Sequence, residues 1–217
     1  MMVDSSATTG RPSATAAATS GDILRGAFTW GNATAHYRQS VYRVAVSDSA
    51  GRRVPVTLRS GESAILRPIG PGDAIRLVQF HERLSDRTVY FRFFAAHPHL
   101  TPVEIERFTH VDHVTREAYV AVLDDRIIGV GRWDATGDRL AEVAFVISDE
   151  FQSQGLGSVL FSLLAEQAKA HGIEGFYAEM LPQNRGMRRL FEVFGTVTER
   201  TVEDGIMHIK VTLDDFA

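Results

Sequence analysis

The 217-residue chain contains no cysteine. That excludes disulfides, thiolate metal sites and a cysteine nucleophile. A chain free of disulfides suits a reducing compartment, so the cytoplasm is the expected location. Lysine is nearly missing as well: only Lys169 and Lys210 stand among 23 basic residues, and the rest are arginine. Codon bias is the simplest source of that imbalance. No apolar run reaches the roughly 18–20 residues that a membrane-crossing helix needs. The N-terminus lacks a basic start followed by an apolar core, so no signal peptide is expected. Nor is there an excess of positive charge. The net charge of −4 with interspersed signs argues against a nucleic-acid partner. Two nucleotide motifs are also missing. No Gly-Lys-Ser/Thr appears, and a dinucleotide fingerprint fails because Leu160 stands where its third glycine belongs.

What remains is an ordinary globular composition, 44% hydrophobic and 23% charged. The length suits one domain with an appendage. Residues 1–20 are rich in Ser, Thr, Ala and Gly with no apolar period, and residues 21–40 are ambiguous. The segment 1–40 is therefore expected to be disordered or loosely attached, with the folded domain at 41–217. That domain would open with a hairpin at about 41–58, whose second strand, containing Pro55, belongs at a sheet edge. A strand at 62–69 follows, then a helix that starts at Pro71-Gly72-Asp73, with Asp73 as N-cap. Thr101 and Glu104 form a capping-box pattern for another helix. Residues 118–124 and 126–133 read as a hairpin through Asp124-Asp125. A strand over 141–147 precedes a helix over 159–171. A strand at 175–181, a helix at 184–194 and a hairpin through Asp204-Gly205 complete the chain. The order predicts an α/β (α+β) fold with a mixed, largely antiparallel sheet flanked by helices.

The most informative stretch is Gln152-Ser153-Gln154-Gly155-Leu156-Gly157-Ser158, between the strand at 141–147 and the helix that follows. Strand, glycine loop and helix together make an anion site. The glycines let backbone N–H groups approach closely, and the helix start adds free donors and a positive dipole end. The expected anion is a cofactor pyrophosphate. Glu142 stands alone as a charge in the strand before the loop, on one face with Ala144 and Val146. A carboxylate among apolar neighbours titrates high, which suits a general base. An ion pair with an arginine such as Arg132 is the alternative for it. The pairs His97/His99 and His110/His113 lack a third partner at a ligand spacing, so capping or surface roles are expected and no metal. The cluster Tyr90-Phe91-Phe93-Phe94 reads mainly as core.

Gln152, Gly155 and Gly157 occupy the three defined positions of Gln/Arg-x-x-Gly-x-Gly/Ala. In this strand-loop-helix setting the pattern resembles the GNAT N-acetyltransferases. Asn184, Met187, Phe191 and Gly195 fall at the spacings of a second motif of that family. A narrower resemblance, to the acetyltransferase domain of bacterial protein lysine acetyltransferases, rests on Arg83-Leu84-Ser85, Tyr90 to Phe94, Glu106 to Asp112, Ala141 to Phe145 and Glu203-Asp204-Gly205.

The resemblance implies acetyl-CoA as cosubstrate. Phe145, Val146 and Ile147 would run beside the pantetheine arm, and one of their N–H groups would polarise the thioester. The N–H groups of Gln154, Gly155, Leu156, Gly157 and Ser158 would hold the pyrophosphate. Gln152 would add a side-chain contact, and Asn184 would touch the distal part of CoA. Glu142 would be the catalytic base. The implied acceptor is a protein lysine, with an acyl-CoA synthetase as favoured target. One departure stands out: many members carry a tyrosine where this chain has Phe191, and Phe191 cannot protonate a leaving thiolate. Tyr177 is a substitute whose facing the sequence does not give. The regulatory domains common in the subgroup do not fit within residues 1–60. Two rivals remain open, transfer to a small amine using Asp112, Glu104 and Glu106, and a non-catalytic acetyl-CoA sensor.

Overall fold

The computed structural model describes residues 53–213. In chain order it contains β1 (Val54–Thr57), β2 (Ser63–Pro68), α1 (Ala74–Glu82), α2 (Asp86–Phe93) and α3 (Pro102–Thr109). Next come β3 (Arg116–Leu123), β4 (Arg126–Gly137), β5 (Leu140–Ile147) and α4 (Leu156–Ala170). The chain ends in β6 (Gly175–Met180), α5 (Arg185–Phe194), β7 (Thr196–Glu203) and β8 (Ile206–Thr212). Among the described residues one sheet forms, ordered β1-β2-β3-β4-β5-β6-β8-β7. Every pairing is antiparallel except β5 with β6. The mixed, largely antiparallel sheet expected above is the one observed.

Each face of the sheet has its own apolar core. Tyr119, Val143, Phe145 and Ile147 point to the face covered by α4 and α5, whose Phe161, Leu164 and Phe191 close over them. Val120, Val130 and Val146 point to the other face, against Leu77 and Phe80 of α1 and Phe108 of α3. Alternation of strand side chains produces this division, with its phase reset in β4 at the irregularity beside Ile128. Gly131 sets how closely α4 approaches. A Cβ there would lie 2.9 Å from both Leu164 Cδ1 and Phe145 Cδ1, so only glycine permits this packing.

The hairpin turns match their chemistry. Asp124 and Asp125 take φ of 47° and 63°, and Asp204 and Gly205 take 49° and 79°, the left-handed values that two-residue hairpin turns need. The capping box of α3 is present, with Thr101 N donating to Glu104 Oε2 (2.7 Å) and Glu104 N to Thr101 Oγ1 (3.3 Å).

Three expectations need adjustment. Asp73 holds the N-cap position of α1 without capping through its side chain. The carboxylate instead grips Arg67 in a two-pronged pair of 2.6 and 2.7 Å and accepts from Gly70 N. A nearby guanidinium outcompetes a backbone N–H for a carboxylate. The aromatic cluster is only partly core: Phe91 is buried, whereas Tyr90 is 48% exposed. These residues lie on α2, where consecutive positions point in different directions. Finally, α4 begins at Leu156, inside the glycine motif, because Gly157 and Ser158 add no apolar period to mark the first turn. The strand expected at 41–46 and the segment 1–40 lie outside the described residues.

Candidate active site

The parallel pair β5 and β6 holds together over only three residue pairs, Leu140↔Gly175, Ala141↔Phe176 and Glu142↔Tyr177. Beyond Glu142 the two strands part. From Val143 to Ile147 the β6-side edge of β5 has no ladder. The bond from Ser148 N to Ile128 O (3.0 Å) sets the phase of the β4–β5 ladder. Alternation then turns the even residues' N–H and C=O toward β4 and those of Val143, Phe145 and Ile147 into the opening. Of the three residues expected beside a pantetheine arm, Phe145 and Ile147 lie on this unladdered edge, and the Ile147 carbonyl accepts from Gln152 Nε2 (3.2 Å). Val146 lends its side chain to the opposite face.

At the wide end of the opening lies the glycine loop. Gly155 is the N-cap of α4 at φ 93°, a left-handed conformation natural to glycine. Its cap has no side-chain hydrogen bond; Ser158 N turns back to Gly155 O (3.1 Å), so it is the N–H groups of Leu156 and Gly157 that a helix start of this kind offers to an anion. Ser153 also takes a left-handed φ of 63°, and Gln154 lies between these two bends. Leu156 is fully buried and anchors the helix start, with Gly157 and Ser158 completing the first turn.

Several residues unmarked by sequence motifs hold this loop. Arg59 N donates to Gln154 O (3.2 Å), and Arg59 Nη1 donates to Ser153 O (3.1 Å), bringing the β1–β2 turn under the loop. Asp149 ties the loop to α2: its carboxylate accepts from Ser85 N (2.9 Å), Ser85 Oγ (2.7 Å) and Thr88 Oγ1 (2.7 Å). Burial alone would raise the Asp149 carboxyl, but these hydrogen bonds outweigh it and hold the group below the ordinary carboxylate range. The Gln152 amide belongs to the same knot, donating to Thr88 Oγ1 and Ile147 O, each at 3.2 Å. Its carboxamide therefore bridges loop, α2 and strand end. Ser85 is the N-cap of α2, a role the sequence reading did not assign, and the Asp149 link joins positions 64 and 61 residues apart.

Asn184 caps α5, with Oδ1 accepting from Met187 N (3.1 Å). It is fully buried, and its Nδ2 has no hydrogen-bond partner. An orphaned buried donor beyond the C-terminal end of β6 is what a ligand carbonyl or hydroxyl would satisfy.

Glu142 stands at the narrow end, 7% exposed, on the α1–α3 face. Asp134 sits directly opposite it on β4. Glu142 acts electrostatically on Arg92 of α2. Burial lowers the Arg92 guanidinium to about 10, and Glu142 is the strongest influence opposing that. Arg92 therefore stays charged near neutrality. Arg132, the partner weighed from sequence, is engaged elsewhere. It donates to Phe108 O (2.9 Å) and lies 4.4 Å from the centre of the Phe108 ring. Between these arginines and Val146 lies a cavity of about 40 Å³, room for a group little larger than water. Its apolar walls include Leu77, Phe80 and Val130.

The histidines and the acidic residues of α3 have local roles. His97 Nε2 lies 3.1 Å from Glu104, and His113 Nδ1 lies 2.8 Å from the buried Glu117. Asp112 accepts from the backbone of Val114, Thr115 and Arg116 and so shapes the entry to β3. Phe191 is fully buried in the α4 core, away from the face of Glu142.

A parted parallel pair, a glycine loop on a helix start and a buried glutamate at the vertex meet in one place. The chain belongs to the acetyltransferase (GNAT) family, whose model matches residues 80–196. It is 32% identical over 155 residues to Acetyltransferase Pat of Mycolicibacterium smegmatis, covering 68% of this chain and 45% of that protein. It is 30% identical over 153 residues to Acetyltransferase PA5475 of Pseudomonas aeruginosa, covering 68% of this chain and 82% of that protein. The GNAT domain of S. lividans PAT superposes with a TM-score of 0.69 at 37% identity, over 74% of this chain and 97% of that domain. The chain thus spans about half the length of the Mycolicibacterium relative and nearly all of the S. lividans domain.

Proposed function

We propose that this acetyltransferase moves the acetyl group of acetyl-CoA to the ε-amino group of a protein lysine, with an acyl-CoA synthetase as the favoured target. The observation that carries this reading is the placement of Glu142: buried, at the vertex where β5 and β6 part. The anion-binding loop lies at the other end of the same opening. Five residues at about 3.3 Å each separate Glu142 from Ile147, roughly 16 Å in all. A pantetheine arm laid along β5, with its pyrophosphate on α4, delivers its thioester beside Glu142.

The chemistry follows in balanced steps. A lysine ammonium, with an ordinary pKa of about 10.4, is almost wholly protonated at neutral pH. Glu142 takes one proton from it, directly or through a water molecule. The amine then attacks the thioester carbon, forming the C–N bond. An N–H in the opening, from Phe145 by the phase of the ladder, steadies the carbonyl oxygen as it gains charge. The C–S bond breaks, the amine loses its second proton, and CoA leaves. Without cysteine the acetyl group passes directly between the two bound substrates.

A small cationic acceptor is the weaker reading. Two of the carboxylates it would use, Asp112 and Glu104, are committed to backbone and capping contacts. A pure sensor would have no need of a buried base at the thioester end. The cytoplasm, where acetyl-CoA and its synthetases are found, is part of the same proposal.

The direct test is CoA release from acetyl-CoA by the purified protein, with and without an acetyl-CoA synthetase, followed by mass spectrometry. Release that depends on the synthetase, with one acetylated lysine, supports the proposal. Acetyl-CoA binding with no transfer to the synthetase moves the acceptor to small amines. Binding with no transfer to any amine leaves the sensor.

The loop makes a separate prediction. Gly155→Val puts a β-branched residue at φ 93°, where it is a steric outlier. Such strain amounts to about 1–3 kcal/mol. Relieving it turns the N–H groups away from the pyrophosphate. The Kd for acetyl-CoA is expected to rise about 5- to 150-fold by calorimetry. An unchanged Kd would mean that the left-handed bend does not shape the phosphate site.

A further inference from the structure

The buried Phe191 leaves the departing sulfur without the hydroxyl that many relatives place there. Across the opening from Glu142, the structure holds another one. Tyr177 is the register partner of Glu142 at the last pair before the strands part, so its side chain emerges on the same face. Its hydroxyl donates to Glu179 Oε1 in a short hydrogen bond and lies 3.1 Å from His208 Nδ1. The Tyr177 and His208 rings stack at 6.2 Å between centres, 16° from parallel. His208 is the cross-strand neighbour of Glu179, with Nδ1 3.5 Å from its Oε1.

The direction of the hydroxyl matters. Glu179 lies two residues beyond Tyr177 on β6, past the last β5–β6 pair and on the same face as Tyr177. Glu179 therefore holds the phenol O–H just past the vertex, on the face that Glu142 shares and next to where the thioester would lie. The other charges near Tyr177 are Glu142 on β5 and Lys210, its partner on β8. Lys210 is held by Glu199 at 2.7 Å, and Glu142 acts on Arg92 of α2. His208 is 27% exposed in its side chain, so it can exchange protons with water.

We infer that Tyr177 protonates the thiolate of CoA as it leaves, with Glu179 and His208 as positioning residues. This rests on the acetyl-CoA reading above. As the C–S bond breaks, its electron pair goes to sulfur. The Tyr177 hydroxyl rotates from Glu179 to the sulfur and gives up its proton, forming the thiol. The phenolate recovers a proton through His208 Nδ1, 3.1 Å away, which takes its replacement from water. Both protons lost by the acceptor nitrogen pass to water, the first by way of Glu142, and one proton returns from water through His208 and Tyr177 to sulfur, so each turnover releases one proton. Phenols and alkyl thiols ionise at about pH 10 and 8.5, close enough for ready exchange between them.

CoA itself reports on this contact. A hydroxyl that donates to sulfur favours the thiolate. Bound CoA is titrated by the ultraviolet absorbance of its thiolate, in the wild-type protein and in Tyr177→Phe. The thiol of CoA on the wild type is expected to ionise about one pH unit below that on Tyr177→Phe. The variant should also lose about 10²-fold in kcat, with its KM for acetyl-CoA unchanged. Identical thiol titrations in both proteins would overturn the role of Tyr177 and leave the acetyltransfer reading standing. Failure of the wild type to bind CoA would overturn both. Should Tyr177→Phe not fold, Glu179→Gln carries the test. It keeps the phenol but removes the charge that aims it, so the thiol titration must move, and an unmoved one refutes the proposal.

Discussion

Glu142→Gln is expected to bind acetyl-CoA with unchanged affinity and to lose about 10²–10⁴-fold in kcat near neutral pH, the usual range for removing a general base. The substitution keeps the size of the side chain and one acceptor oxygen in a site that is 7% exposed, so packing against β4 is preserved. It removes the ability to take a proton. It also removes the negative charge that Arg92 feels. A buried guanidinium that loses a compensating charge destabilises the fold, so the melting temperature must be measured alongside the kinetics. The discriminating observation is the pH dependence. As pH rises toward about 10.4, a free lysine loses its proton without help. The deficit of Glu142→Gln should therefore shrink steadily from pH 7 to pH 10. Turnover equal to wild type at pH 7 would remove Glu142 from the mechanism. A deficit constant across that range would assign it to orienting the acceptor.

The contrast between Glu142 and Tyr177 marks how far the site could be read from the chain. Glu142 was visible because it breaks an apolar run, a feature confined to one strand. Its face followed from the two-residue period, and the structure agrees. The glycine loop was visible for the same local reason. Tyr177 was noticed, but its facing depended on the register of β6 against β5 and β8, which only long-range pairing decides. The parting of the two strands is likewise a property of the pair, invisible in either one. The same holds for the charge partner of Glu142. Arg132 seemed natural because its strand is adjacent, yet Glu142 also acts on Arg92, on a helix 50 positions earlier by residue number. The Asp149 knot had no signal at all, since an aspartate after a strand is common and its partners lie on α2. Gln152 shows a motif residue with a second duty: its amide fastens the loop to Thr88 and to the end of β5.

Phe161→Ala is expected to destabilise the protein by about 3–5 kcal/mol, a large share of the roughly 5–15 kcal/mol by which a domain of this kind is stable. Phe161 is fully buried on α4. Its ring stacks with Phe145 at 5.8 Å and Phe194 at 5.4 Å, and meets Phe176 at 5.5 Å and Phe191 at 5.6 Å edge-on. One ring thus joins β5, β6 and α5, the three elements around the opening. That accounts for a phenylalanine at 191: its ring edge packs on Phe161 in a dry core, where a hydroxyl would need a partner. Urea denaturation read by circular dichroism measures the loss as a lower midpoint at unchanged slope. A loss below about 1 kcal/mol would mean that the four remaining rings close over the gap. The effect should reach the site as well. Phe145 carries backbone groups that face the opening, so a loosened Phe145 weakens acetyl-CoA binding even where most of the variant is folded. Stability and Kd should therefore move together for Phe161→Ala, whereas Glu142→Gln moves kcat and leaves Kd in place. Those two patterns separate the packing that holds the opening in shape from the carboxylate that works within it.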